Sequence, residues 1–69
     1  MDKAERMAHT ADPVTTICYG KEDKWNDRWE AVDFFMEGVY ARDGSERDRY
    51  ETILMRLLAG ERVCSDDIG

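Results

Sequence analysis

The segment that most limits the fold is ARDGS, residues 41–45, which separates two helix-like patterns. A connection this short only reverses the chain, so the two helices are predicted to lie antiparallel. Gly44 suits the exit of the first helix, where a positive φ is often needed. Ser45 is predicted to be the N-cap of the second helix. The centre of the chain is therefore a helix hairpin.

The first helix is predicted to run from Arg28 to Ala41, with Asp27 as N-cap and Glu30 completing a capping-box arrangement. At about 100° per residue, its large apolar side chains share one broad face, which is predicted to pack on a sheet. They are Trp29, Val32, Phe35, Met36, Val39 and Tyr40. A second side is predicted to receive the second helix or a partner. It carries Ala31, Phe34 and Gly38.

The second helix has one apolar stripe and is predicted to end at Gly60 as its C-terminal cap. The stripe consists of Tyr50, Ile53, Leu54, Leu57 and Leu58. Residues 14–20, VTTICYG, are predicted to form a strand, because β-branched and aromatic residues dominate them. GKED is predicted to be a polar turn, and residues 24–26 a short return strand. Residues 62–65 can add a strand beside the first.

The predicted fold class is therefore α+β, in the order β-β-α-α with a further β if the last strand forms. It is a small β-hairpin, or a three-stranded antiparallel sheet, packed on an antiparallel helix pair. A chain of 69 residues holds one domain at most. We assign residues 13–67 to that domain, residues 1–12 to a flexible N-terminal tail, and residues 68–69 to a C-terminal tail.

Charge and composition limit the classes of partner and the cellular location that we expect. The net charge is -6, from 16 acidic and 10 basic residues, so nucleic acid is not the default partner. No run of 18 apolar residues is present, and the first residues lack the apolar core of a secretory signal. Two separate cysteines, Cys18 and Cys64, are typical of a reduced compartment. The expected location is the cytoplasm, with no membrane association.

No pattern in the sequence indicates an enzyme. Ser45 lacks a neighbouring base, because the single histidine, His9, lies in the expected tail. Cys18 and Cys64 have no metal-ligand spacing, and the acidic pairs have no calcium-loop spacing. No glycine-rich phosphate loop is present. We therefore predict no catalytic residue, no cofactor and no metal.

The leading functional prediction is a non-enzymatic protein-interaction or inhibitor module. Phe34 and Met55 fall off the main apolar face of their helices. They are expected either to cover the seam between the helices or to form an exposed patch that binds another protein. In one version the module is an inhibitor whose carboxylates imitate nucleic-acid phosphates against a basic partner, and four exposed carboxylates are predicted to make these contacts. They belong to Glu30, Asp33, Glu37 and Glu51.

Two alternatives stay open. The first is a small DNA-binding regulator that uses the helix pair, which requires Arg47, Arg49 and Arg56 to share an exposed face. The second is a homodimer held through Phe34 and Met55.

The segments DRWEAVDFFMEG and GSERDRYETILMRLLAG, followed by VCSDD, resemble small uncharacterised proteins carried by phages and integrative mobile elements of Firmicutes. The resemblance covers roughly residues 14–67. It implies a mobile-element accessory protein that acts by binding a host or element protein. It brings no catalytic motif, so it assigns no functional residue.

Overall fold

The computed structural model describes residues 11–67. The elements are β1 (Val14–Cys18), β2 (Lys21–Trp25), α1 (Arg28–Ala41), α2 (Gly44–Leu58) and β3 (Val63–Ser65). The α+β class and the element order are confirmed. His9, most of the predicted N-terminal tail and the tail at 68–69 lie outside the described residues.

The sheet is mixed, so the prediction of a purely antiparallel sheet is wrong. Its strand order is β2-β1-β3, with β1 antiparallel to β2 and parallel to β3. The reason is the number of chain reversals. Each of the four short connections between β1 and β3 reverses the chain, and an even number of reversals returns it to the direction of β1.

The hairpin turn also differs from the prediction. It consists of Tyr19 and Gly20, both with positive φ (54° and 78°), and β2 already begins at Lys21. Positive φ at both central residues is the requirement of a type I′ turn, which matches the twist of the flanking strands. The GKED segment is therefore mostly strand. The sequence pattern missed this turn because tyrosine rarely adopts that conformation.

The core lies between the inner face of the sheet and the two helices. Trp25, Tyr50, Leu54 and Cys18 pack against it, and the Trp25 indole donates a hydrogen bond to the Thr16 hydroxyl over 2.9 Å. Among the described residues, the buried apolar side chains are Val14, Ala31, Val32, Phe35, Ile53, Leu57 and Cys64.

The limits of α1 match the prediction, but its buried face does not. Only Val32 and Phe35 of the predicted bulky face are buried, while Trp29, Met36 and Tyr40 are exposed. The buried arc is rotated toward small residues and also includes Arg28. The buried residues of α1 are Arg28, Ala31, Val32, Phe35 and Gly38.

Gly38 explains this rotation. A Cβ atom at this position would lie 2.3 Å from Tyr50 Cδ2, so the aromatic ring of α2 occupies the space that any side chain would need. The helices approach each other where α1 has no bulk. Phe34, which was predicted on the same side as Ala31 and Gly38, is the exception. It packs on the Trp25 ring of β2, with the ring centroids 5.4 Å apart.

Arg28 joins three parts of the fold. Its guanidinium donates hydrogen bonds to Asp12 Oδ2 (2.6 Å), to the Leu57 carbonyl (2.7 Å) and to the Glu61 carbonyl (2.8 Å). The Leu57 carbonyl, at the end of α2, also accepts the Gly60 backbone N–H over 3.1 Å, and Arg28 adds a charged donor from the neighbouring helix. Arg28 thereby fixes the start of α1 beside the end of α2.

Neither predicted N-cap makes the expected side-chain bond. Asp27 precedes α1 as predicted, but its carboxylate accepts a hydrogen bond from the Asp12 backbone N–H instead. α2 begins at Gly44, so Asp43 stands at the N-cap position and Ser45 lies inside the first turn. Gly60 follows α2 with the positive φ of a C-terminal cap (91°). Gly44 also has a positive φ (66°), but it is the first residue of α2, and Arg42 caps the exit of α1.

Candidate functional site

The helix pair exposes large apolar side chains on the side turned away from the sheet. Trp29 is 54% exposed, Tyr40 84% and Leu58 53%. Arg49 and Arg56 lie on the side of α2 next to β3, because they bond to Asp66 and Asp67, which directly follow that strand. At about 100° per residue, Leu58 points roughly opposite those two arginines.

These side chains belong to a surface that we call the outer face. It consists of one row on each helix. The row on α1 is Trp29, Asp33, Met36 and Tyr40, and the row on α2 is Arg47, Glu51, Leu54 and Leu58. All except Leu54, which is half-buried, are exposed.

The contacts between the helices show how the two rows are aligned. Arg28 reaches the Leu57 carbonyl at one end, and Tyr50 covers Gly38 nearer the other. In an antiparallel pair with these two anchors, Trp29 is level with Leu58. Further along, Met36 is level with Glu51, and Tyr40 with Arg47. The outer face therefore has an apolar end and a more polar end.

Carboxylates dominate the charge of this surface. Asp33 and Glu51 stand within the rows, and Glu30 and Glu37 flank the row on α1. Arg47 is the one basic residue in the rows. The four carboxylates that sequence analysis selected are thus exposed around one surface, whereas the apolar side chains between them had been assigned to the core.

The two apolar candidates do not share a position, and neither covers the seam between the helices. Met55 is 62% exposed on α2, beside the outer face. Phe34 is 52% exposed but belongs to an aromatic group with Trp25 and Phe35, next to β2. A homodimer held through Phe34 and Met55 together would have to contact two separate sides of α1 and α2.

A second cluster surrounds Asp66, directly after β3. Its carboxylate is 7% exposed and accepts hydrogen bonds from the Tyr19 backbone N–H and from Arg49 Nη1, each over 2.9 Å. The Arg49 guanidinium also lies over the Tyr19 ring, 4.6 Å from its centroid. The cluster holds Tyr19 in its positive-φ conformation and ties the hairpin turn to α2. We therefore assign it a structural role.

The environment of Asp66 favours its ionised form. Burial by itself raises the pKa of the carboxyl, but the hydrogen bonds from Tyr19 and Arg49 and the charge of Arg49 outweigh it. The pKa therefore lies below the usual value of 3.8. A carboxyl group with a depressed pKa stabilises the fold above its usual pKa, and this stabilisation is lost as the pH falls through the folded-state pKa.

We expect Asp66→Asn to lower the free energy of unfolding at pH 7 by about 2 kcal/mol, because a charge-assisted hydrogen bond becomes a neutral one. The difference between the two proteins should be constant above about pH 5 and shrink as the pH falls below 4. Urea unfolding followed by circular dichroism over this pH range measures it. A difference that stays constant down to pH 2 would contradict the assigned role.

The other candidates for chemistry, Cys18, Cys64 and Ser45, do not form a reactive site. Cys18 and Cys64 are both free, and burial raises the pKa of both thiols, assisted at Cys18 by the charge of Asp66. A raised pKa leaves little reactive thiolate at neutral pH. Ser45 lines a shallow pocket with Arg49, Asp66 and Asp67. Among residues 11–67, no three His, Cys, Asp or Glu side chains are grouped to hold a metal ion.

The arginines needed for DNA binding do not share one exposed side. Arg49 bonds to Asp66, and Arg56 bonds to Glu61 and to the Asp67 carbonyl, on the side of α2 next to β3. Arg47 stands on the outer face among carboxylates. The DNA-binding alternative stays a prediction, without a structural observation in its favour.

Comparison with protein-family models, curated proteins and solved structures finds no match to this chain. The resemblance to mobile-element proteins therefore stays a prediction. Neither helix within residues 11–67 is both long enough and apolar enough to span a membrane.

Proposed function

We propose that this protein is a non-enzymatic interaction module that binds another protein through its outer face. The observation that supports this most is the exposure of Trp29, Met36 and Tyr40 on one side of α1. Small monomeric domains rarely leave large apolar side chains grouped on one side, and such patches commonly mark binding surfaces. Tryptophan and tyrosine are also the residues that contribute most to binding at interfaces.

The sheet and the ends of the helices support this surface. Arg28 fixes the start of α1 beside the end of α2, and Tyr50 fixes its later turns through Gly38. Side chains on such a scaffold are already in place before a partner arrives. A rigid surface loses less conformational freedom on binding, which favours affinity.

The cytoplasmic location and the role in a mobile element belong to the same proposal. A protein that acts by binding, rather than by catalysis, accounts for a chain in which the described residues assemble no reactive group. In the inhibitor version, the outer face would cover a functional surface of its target. The carboxylates at Glu30, Asp33, Glu37 and Glu51 would then face the target's basic groups.

The test is affinity capture from a bacterial lysate with the wild-type protein and with Trp29→Ser/Tyr40→Ser. We expect proteins captured by the wild type to be lost with the double variant, because it removes apolar contact area that would be buried at the interface. Both side chains are more than half exposed, so the variant should remain folded by circular dichroism.

Val63→Ser is the matched control, because Val63 is 57% exposed on the opposite face of the sheet. It should capture the same proteins as the wild type. Retention of every captured protein by the double variant would refute the role of the outer face. Captured proteins that disappear only after nuclease treatment would favour the DNA-binding alternative.

A further inference from the structure

The outer face has the spacing of a surface that packs against a helix. In both rows the residues follow each other at intervals of four, three and four positions. Repeats of this kind keep side chains along one line of a helix, as in coiled-coil seams. From Trp29 to Tyr40 the row is about 16 Å long, or three turns of helix. Two aligned rows form a shallow groove, in which a third helix can lie against both.

The charges of the groove indicate the composition of such a helix. Asp33 and Glu51 lie within the rows, and Glu30 and Glu37 extend the negative charge along the α1 side. An apolar ridge that enters this groove brings its own flanking side chains close to these carboxylates. Lysine or arginine at those flanks would be attracted, whereas aspartate or glutamate would be repelled.

The same charges argue against a second copy of this chain as the occupant. In a symmetric dimer through the outer face, each copy would present the same carboxylates to the other. Arg47 is the only basic residue of the two rows, so it cannot pair with all of them. Like charges facing each other disfavour association, and the net charge of -6 adds to the repulsion.

We infer that the outer face binds a basic amphipathic helix of a partner protein, with the helix lying along the groove between the two rows. The inference rests on the proposed function and specifies its partner. The apolar side of the bound helix contacts Trp29, Met36, Tyr40, Leu54 and Leu58. The carboxylates of Asp33 and Glu51 pair with basic residues beside that apolar side. This is the helix-in-groove mode of recognition, with the groove supplied by a helix pair.

Two peptides of opposite charge test the inference. One is an amphipathic helical peptide of leucine and lysine, and the other has glutamate in place of each lysine. Titration calorimetry of the full chain should show that the lysine peptide binds at least about tenfold more tightly, because several exposed ion pairs each contribute a small amount. Added salt should reduce the difference.

Three controls separate this mode from unspecific attraction. A lysine-leucine peptide of the same composition in scrambled order should bind at least about tenfold more weakly, since it has no apolar side. Asp33→Asn/Glu51→Gln should reduce the preference for the lysine peptide several-fold. Trp29→Ser/Tyr40→Ser keeps every charge and should still weaken binding about tenfold.

The possible failures are distinguishable. Equal affinity for the two peptides would refute the basic partner but keep the outer face as a binding surface. Binding that is unchanged in Trp29→Ser/Tyr40→Ser would show charge attraction alone and refute the groove. If neither peptide binds while lysate capture still depends on Trp29 and Tyr40, the helical partner is wrong and the proposed function stands. If sedimentation shows a dimer that Trp29→Ser/Tyr40→Ser dissociates, the occupant of the groove is a second copy of this chain.

Discussion

Replacing Arg28 with methionine should lower the free energy of unfolding by about 3 to 5 kcal/mol. Arg28 is 8% exposed, and its guanidinium donates to Asp12 and to the carbonyls of Leu57 and Glu61. Methionine fills similar space but donates nothing, so the two carbonyls lose a donor and a carboxylate loses its ion pair. Such a loss approaches the whole stability expected of a domain this small.

Urea unfolding monitored by circular dichroism and tryptophan fluorescence measures the effect. Arg28→Lys is the intermediate case, because a single ammonium keeps the charge but cannot span all three acceptors. We expect it to lose about 2 kcal/mol. Arg47→Met is the control for removing an exposed helical arginine, and it should change stability by no more than about 0.5 kcal/mol. An Arg28→Met protein within 1 kcal/mol of wild type would show that these hydrogen bonds are not needed.

Replacing Gly38 with alanine should destabilise the protein by about 2 kcal/mol, although the same change in most helices stabilises by up to about 1 kcal/mol. The added Cβ would meet Tyr50 Cδ2 at 2.3 Å and Cε2 at 2.7 Å. The ring cannot easily move aside. Phe35 packs on it with centroids 5.3 Å apart, and the Arg42 guanidinium lies 4.1 Å from its centroid.

A double-mutant cycle with Tyr50→Ala isolates this clash. In the Tyr50→Ala protein, Gly38→Ala should become neutral or slightly stabilising, because the ring that blocks the Cβ is gone. The coupling free energy between the two sites should therefore be about 2 to 3 kcal/mol. If Gly38→Ala stabilises the wild-type protein, the helices have room to separate and the tight contact is not essential.

Sequence patterns predicted which helices and strands form better than they predicted how these elements pack against each other. The limits of α1 followed from the apolar spacing between Asp27 and the ARDGS connection. The direction of β3 was missed, although counting the chain reversals predicts it without any structural information. The turn at Tyr19–Gly20 was missed for a different reason. Tyr19 in this turn donates its backbone N–H to Asp66, which is 47 residues away, and a local sequence pattern cannot contain that contact.

The buried face of α1 shows a limit of apolar periodicity. The pattern located an arc of large side chains and placed its centre in the core. The structure instead buries the edge nearest Ala31 and Gly38, because small residues let α2 approach closely. Asp33 could have indicated the difference, since it lies next to Tyr40 and Trp29 around the helix and cannot enter a core unpaired. The carboxylates of the candidate site were therefore easier to predict than its aromatic residues.

The Tyr19–Asp66 contact also bears on the order in which the protein assembles. Hairpins are usually the part of a sheet that forms early, because the two strands are close along the chain. Here the central strand, β1, has two neighbours. β2 follows it directly in the chain, whereas β3 comes only after both helices. The Tyr19 backbone N–H in the turn gains its hydrogen bond to Asp66 only when β3 is in place. Early hairpin formation is thereby weakened, and the sheet and the helix pair are expected to become stable in one cooperative step.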